Sequence, residues 1–302
     1  MIVAVDHAVQ AGQKSRAARL SILSNAALIA IKLTAGAVTG SIAIITEAVH
    51  SSVDLVASIV AYFSIRKAEE PADESHPYGH EKVENLAAAL EGILILVGAA
   101  IVVFESARRL ANPPKVESLG FGIAVIGVSV VVNLAVSTYL YRRARQTDSP
   151  ALEGDAAHLR TDAITSLAVL AGLTTVAITG VEILDPLVAL SVAAAIVWAG
   201  IRLITRSSRV LVDEALPDDE LRAIAKAVEQ SGAPEVAGYH KLRARRAGSR
   251  RYIDLHVQFR SGTTLERAHE VSHELQTDIR RRVHRADVLI HLEPERHLEP
   301  EG

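Results

Sequence analysis

"EAVHSSVDLVAS", residues 47–58, and "DAAHLRTDAITS", residues 155–166, align without a gap at an offset of 108. Acid, alanine, histidine, aspartate and serine recur at matching places, so His50 and Asp54 in the first copy answer to His158 and Asp162 in the second. Both copies sit in long apolar stretches that read as helices. Residues four apart share a helix face, so each copy projects one imidazole and one carboxylate to the same side. A carboxylate at the centre of a membrane helix costs about 2.5–3.5 kcal/mol on insertion scales. Something must offset that cost. If the two segments pack together, His50, Asp54, His158 and Asp162 offer two nitrogens and two oxygens, the tetrahedral set that zinc takes at about 2.0–2.2 Å. The plainer alternative pairs an aspartate with Lys32 and leaves the histidines as hydrogen-bonders. Two matched pairs on separate segments favour the metal, because ionisable groups inside a membrane mark transport pathways. Glu91, alone in its apolar stretch, reads as a structural or water-cavity residue.

Composition agrees with a membrane chain. The 302 residues are 49% hydrophobic yet only 4% aromatic, and mean hydropathy is +0.24. That balance suits alanine-, valine- and leucine-rich membrane helices. A net charge of −3 gives no sign of a nucleic-acid partner, and the absence of cysteine removes disulfides and thiolate ligands. Six apolar stretches, about 19–39, 42–65, 83–108, 118–141, 151–180 and 183–204, each supply the length of a membrane helix, about 20 residues. The predicted fold is therefore an all-α six-helix transmembrane bundle over residues 1–210. "MIVAVDHAVQAGQKS" at the start is too polar and broken for a signal peptide. Twelve Lys and Arg residues flank one side of the spans and three (Arg108, Arg109, Lys115) the other, which places both termini in the cytoplasm.

From about residue 211 the pattern becomes that of a soluble domain. "LPDDELRAIAKAVEQSG" reads as a helix with an acidic first turn. "VAGYHKLRARRAG" and "RRYIDLHVQFRSG" read as a strand pair, "TLERAHEVSHELQTDIRRRV" as an amphipathic helix and "ADVLIHLEPE" as a last strand. This order predicts a small cytosolic α/β, ferredoxin-like and metallochaperone-like domain on an antiparallel sheet over 211–295, with 296–302 a disordered tail. Two further clusters stand out. Asp73, His76 and His80 lie in "EEPADESHPYGHEK", where Pro77 and Gly79 prevent a regular helix; a turn around an ion and a solvated polar loop are both open there. "HEVSH", His269 to His273, matches the H-E-x-x-H pattern of zinc metalloproteases. A membrane-anchored protease is thus a rival reading, as is a membrane metal sensor without flux. A protease would leave both His–Asp pairs unexplained.

Taken in order, "KLTAGAVTGSIAIITEAVHSSVDLVAS" (32–58), "PADESHPYGHEKVENLAAALEG" (71–92), "EGDAAHLRTDAITSL" (153–167) and the tail's "YHKLRAR", "IDLHVQF", "RAHEV" and "VLIHLE" resemble the cation diffusion facilitators, a family of metal-ion/proton antiporters. The resemblance implies a homodimeric carrier, not an enzyme, with divalent metal ions, protons and the lipid bilayer as partners and no organic cofactor. Its transport site would fall on His50, Asp54, His158 and Asp162, and its cytosolic loop site on Asp73, His76 and His80. Its C-terminal regulatory cluster would be His240, His256, His269 and His291 with Glu293, where related sequences carry aspartate. Histidine in both pairs implies zinc as the transported and regulatory ion; iron, manganese, cobalt, nickel and cadmium remain alternatives. The absence of a long histidine-rich loop after the fourth span resembles bacterial members at a cytoplasmic (inner) membrane.

Overall fold

The computed structural model describes residues 2–39, 42–111, 120–179, 181 and 183–295; the side chains of 2–10, 39, 42–44, 46, 47, 50, 109, 111, 120–123, 169, 172, 173, 176, 177 and 185 lie outside what it describes. The predicted disordered tail therefore lies outside the described residues. The chain forms two compact units, Met1–Ser208 and Arg209–Gly302.

The first unit is built from helices α1 (Ile2–Thr39), α2 (Ile42–Ala68), α3 (Lys82–Ala111), α4 (Gly120–Thr147), α5 (Pro150–Thr179) and α6 (Leu184–Leu211). Among the described residues, four segments are long and apolar enough to cross a membrane: Ala11–Val38, Lys82–Arg108, Ala124–Thr147 and Pro186–Leu211. The two long helices outside that set, α2 and α5, are those that carry the His–Asp motifs. Val38, Phe63, Phe104, Ile178 and Trp198 are between 63% and 81% exposed on the unit's surface. Such a surface needs lipid rather than water as its solvent, and the chain is an integral membrane protein.

Helix α1 begins well before the expected start near residue 19, at Ile2. The segment holds no proline, and Lys14 ties it to the bundle: its ammonium donates to Glu84 Oε1 at 2.7 Å, both side chains being buried. Ser149 Oγ donates to the other oxygen of Glu84, so one carboxylate joins α1, α3 and the entry to α5. The α4–α5 corner is tight because Asp148 takes a left-handed conformation (φ 49°) and Pro150 opens α5 with a preset φ.

Small residues let the helices approach. Buried Ala17, Ala18, Ala151 and Ala156 line the contact of α1, α4 and α5. In α3 and α6, Gly92 and Gly200 face each other so closely that a Cβ on Gly200 would lie 3.2 Å from the Gly92 carbonyl oxygen and 2.9 Å from Leu96 Cδ2. Shape matching of this kind supplies much of the helix association in lipid, where hydrophobic burial gives little.

In the second unit, α7 (Asp218–Glu229), β1 (Val236–Ala247), β2 (Arg250–Phe259), α8 (Leu265–Arg282) and β3 (Ala286–Pro294) follow in the expected order. The sheet order is β1-β2-β3. β1 and β2 form an antiparallel hairpin turned at Gly248 (φ 55°). β3, however, runs parallel to β2, which corrects the expected antiparallel sheet. The reason is the connection: α8 crosses over the sheet and returns the chain to the end where β2 began, as a β–α–β unit must. Thr264 caps α8, its hydroxyl accepting from the Arg267 N–H. Ile253, Leu255, Val257, Phe259 and Val288 on one sheet face pack on Ile224, Val228, Val271, Leu275 and Ile279 of the helices.

The glycine contact makes a direct test. Gly200→Leu should lower the folded protein's stability by roughly 1–3 kcal/mol through overpacking, while Gly98→Ala, which meets nothing within 4 Å, should not. Thermal unfolding of both variants in detergent, followed by circular dichroism, reads the difference; equal melting would mean that α3 and α6 do not pack through this point.

Candidate metal sites

α1 packs along α2, and α5 packs against α2, α3 and α4, so the two copies of the repeat face each other. A chain of buried hydroxyl and amide groups aligns them. Ser58 of α2 donates to Asp155 Oδ1 of α5 at 2.9 Å, lies 2.9 Å from Ser21 Oγ and accepts from Asn25 Nδ2 at 2.9 Å. Asp155 itself is fully buried. It is the second copy's counterpart of Glu47, and as the acid of the repeat it was visible in the sequence without its locking role being legible.

One turn further along, Asp54, His158 and Asp162 converge, with ligand atoms within 4.8 Å of one another. His158 Nε2 lies 3.2 Å from Asp54 Oδ1 and 3.8 Å from Asp162 Oδ2. Ligands 2.0–2.2 Å from a tetrahedral ion sit about 3.3–3.6 Å apart. The two His158 distances bracket that spacing, so the triad suits a small divalent cation. The backbone of His50 belongs to α2, but its side chain lies outside the described residues. Lys32, offered in the plainer reading as a partner for an aspartate, is buried and donates to Ser51 Oγ at 2.7 Å.

Glu91 of α3 changes the picture of this site. Its side chain is buried, and Oε2 stands 3.7 Å from His158 Nδ1, on the side of the ring away from Asp54. A Cβ on Gly154 would lie 3.1 Å from Glu91 Cγ, so the glycine one turn before His158 makes the room that Glu91 fills. At 3.7 Å this is an electrostatic contact, longer than a hydrogen bond; a carboxylate on that side of a ligating imidazole can orient it through its other nitrogen. An isolated acid in an apolar helix was the available signal, but nothing in the sequence named its partner.

The loop between α2 and α3 gathers Asp73, His76 and His80 within the same 4.8 Å limit. Asp73 Oδ1 accepts from the His76 backbone N–H at 2.6 Å, and Asp73 Oδ2 lies 3.3 Å from His80 Nε2. That backbone bond and the two histidines hold the Asp73 carboxyl below its ordinary pKa, so it stays ionised and ready for a cation. His80 is buried and neither ring nitrogen has a hydrogen-bond partner among the described residues. An orphaned imidazole beside an ionised carboxylate fits a metal better than it fits a solvated loop.

In the second unit the sheet register does the positioning. His240 pairs with His256 across β1–β2, and His256 with His291 across β2–β3. The three imidazoles form a row with ring centroids 5.2 Å and 4.6 Å apart. Glu293, two residues beyond His291, lies on the same face. Its oxygens accept from His240 Nε2 and His256 Nδ1, each at 2.7 Å, and His291 Nε2 is 3.7 Å away. The extra methylene of glutamate lets one carboxylate reach both rings. A metal would replace the two ring protons that Glu293 now accepts.

His269 does not join this row. The histidines occupy the sheet face opposite Leu255 and Val257, whereas α8 covers the face that those residues line. Within one chain His269 stands apart from the row: on the exposed side of α8 its Nε2 lies 3.1 Å from that of His273. Among the described residues no third histidine or carboxylate completes a set with this pair. The protease reading of "HEVSH" lacks the third ligand that it needs.

The family model for the cation efflux transmembrane domain matches residues 18–212, and that for the cation efflux protein cytoplasmic domain matches 216–295. The chain belongs to the cation efflux, or cation diffusion facilitator, family. It is 35% identical over 278 residues to an uncharacterized transporter, sll1263, of Synechocystis, covering 91% of this chain and 88% of that one. It is 32% identical over 280 residues to the cation-efflux pump FieF of Klebsiella pneumoniae, covering 93% and 92%. A solved structure from work on the mode of action of the zinc transporter candidate CzrB (Zn form) is 30% identical, spanning 29% of this chain and 99% of that one at a TM-score of 0.27.

The hydrogen bonds from His256 and His240 hold the Glu293 carboxyl down at about 2. Because that value is lowered, its stabilising contribution is complete above the ordinary carboxylate range and is lost only as pH falls through about 2. Carbon-13 NMR of the chelator-treated protein should show Glu293 ionised at pH 4, and His256→Ala should move its midpoint up towards that of an ordinary glutamate. A wild-type midpoint in the ordinary range would rule out the paired hydrogen bonds.

Proposed function

We propose that this protein exports a divalent cation, zinc above the others, from the cytosol in exchange for protons, by alternating access in a homodimer. All six helices cross the bacterial inner membrane in this reading, with both termini in the cytoplasm. Convergence of Asp54, His158 and Asp162 from α2 and α5 is the observation that carries it. His50 completes the tetrahedral set. The ion is the cargo.

Binding requires neutral imidazoles and ionised carboxylates, so protons and metal compete for the same atoms. Three carboxylates around one imidazole in a poorly polarisable surrounding need either a cation or protons to balance them. That requirement makes exchange the natural cycle: the metal leaves when protons arrive from the outer side, and the protons leave when metal arrives from the cytosol. Glu91 would hold the His158 ring so that Nε2 points at the ion. The loop residues Asp73, His76 and His80 form a second metal site beside the entry to α3. The row of His240, His256 and His291 with Glu293 forms a regulatory site that reports cytosolic metal, and the cytoplasmic domains contribute to the dimer.

Mixed nitrogen and oxygen ligation favours zinc and also accepts cobalt, nickel and cadmium. A competition flux assay with zinc, cadmium, cobalt, nickel, manganese and iron(II) ranks them. In proteoliposomes with an imposed pH gradient, Asp54→Ala and Asp162→Ala should each abolish zinc flux. Undiminished flux in either would falsify the site assignment.

Glu91→Gln keeps the shape of the side chain but removes its charge. It should weaken zinc binding roughly tenfold, the low end for a carboxylate that orients a ligating histidine, with the fold unchanged by circular dichroism. Isothermal titration of the full-length protein measures this; unaltered affinity would leave Glu91 as a packing residue. Zinc titration of His256→Ala/His291→Ala should lose the C-terminal binding event while transport persists at a reduced rate. Complete inactivity, matching the aspartate variants, would contradict the regulatory role.

A further inference from the structure

A groove of about 320 Å³ lies on the side of α5 away from the metal triad, walled by α4, α5 and α6. Its upper wall is basic. Arg160 of α5 and Arg202 and Arg206 of α6 line it, together with a single acid, Glu153. Arg206 is bound to Glu153. Among the described residues, Arg160 and Arg202 form no ion pair and lie over aromatic rings instead. The Arg160 guanidinium carbon is 5.7 Å from the Tyr141 ring centroid, and that of Arg202 is 5.3 Å from the Trp198 centroid. Two positive charges are thus held in place without a counter-ion.

The lower wall is different in kind. Ile164, Ala195 and Ile196 make it apolar. On α6, Trp198, Arg202 and Arg206 succeed one another at four-residue steps, one face of the helix. A ligand entering along that face meets hydrocarbon first, then an indole, then two guanidiniums. This sequence of environments matches a phospholipid in the same order, from acyl chain through glycerol to phosphate. Tyrosine and tryptophan belong at that depth of a bilayer.

We propose that this groove binds an anionic phospholipid, its phosphate engaged by Arg160 and Arg202 and its upper acyl chain against Ile164 and Ala195. Charge complementarity selects the ligand: a zwitterionic lipid brings its own cation next to two arginines, whereas an anionic one does not. The apolar lower wall separates a lipid from free phosphate, which has nothing to place there. Arg160 stands between His158 and Asp162 in sequence yet on the opposite face of α5 from the buried His158. The bound lipid therefore holds the back of the same helix that presents the metal ligands.

The test is native mass spectrometry of the delipidated full-length protein, titrated with phosphatidylglycerol or with phosphatidylcholine of the same chains. Wild type should retain phosphatidylglycerol preferentially, and excess inorganic phosphate should not displace it. Arg160→Gln/Arg202→Gln should lose roughly twentyfold in phosphatidylglycerol affinity, from two surface arginines, while its weak phosphatidylcholine binding is unchanged. If the double variant fails to fold, Arg160→Gln and Arg202→Gln alone should each lose roughly fivefold. Equal affinity for the two lipids in wild type, unaltered binding in the variants, or displacement by phosphate would overturn the proposal. So would a shift from dimer to monomer in the variants with lipid binding intact, which would assign the groove to a second copy of this chain. None of these readouts depends on metal transport.

Discussion

A single imidazole, that of His158, stands between Asp54 and Asp162 at one nitrogen and Glu91 at the other, all in the interior of a helical bundle. So many acids around one ring are unfavourable in a low-dielectric interior unless cations or protons accompany them. The rest of the first unit can be understood as the means of keeping them there. Ser58 donates to Asp155 and is itself bonded to Ser21 and Asn25, which fixes α2 against α1 and α5. Gly154 brings α3 close enough for Glu91 to reach the ring. Lys14 and Ser149 share the Glu84 carboxylate at the bundle's end. Each polar contact joins two or more helices, and each is buried. Lipid offers such groups no alternative partner, so they define the helix registers that the alanine contacts alone would leave loose.

Much of this arrangement was legible in the sequence. The gapless repeat raised the pairing of α2 and α5 as the condition under which its polar residues converge, and that condition is met for Asp54, His158 and Asp162. The histidine row was partly legible, since strand alternation put His291 and Glu293 on one face. What the sequence withheld was partnership across space. Glu91 carried no local sign that it would meet His158, and Asp155 looked like one more acid of a motif. His269 stands in the helix layer, apart from its own chain's row, because a motif gives membership of a set without saying which layer of a domain each member occupies. The parallel β3 follows from a crossover whose direction no hydrophobic pattern encodes.

The two kinds of candidate metal site differ in how they are held. The C-terminal row belongs to three hydrogen-bonded strands, so the spacing of His240, His256 and His291 is fixed by backbone register. Glu293 already draws the rings together through its own hydrogen bonds. In the proposed reading, an ion entering there would exchange with protons on a prepared frame. Such a site suits a reporter, whose occupancy should follow concentration without reshaping the fold.

The site on α2 and α5 has no shared backbone ladder. Its ligands come from separate helices whose association rests on small-residue packing and a few buried hydrogen bonds, interactions that permit sliding and tilting at modest cost. A relative shift of a few ångströms would part Asp54 from His158 and Asp162 while leaving every helix intact. The cost of parting is the exposure of uncompensated carboxylates, and protons remove that cost. In the proposed cycle, release of the ion and protonation of the site are two descriptions of one event, and a bundle that could not separate these helices could bind metal without exporting it. The looseness of the helix frame and the rigidity of the sheet frame are in this sense complementary requirements of one carrier.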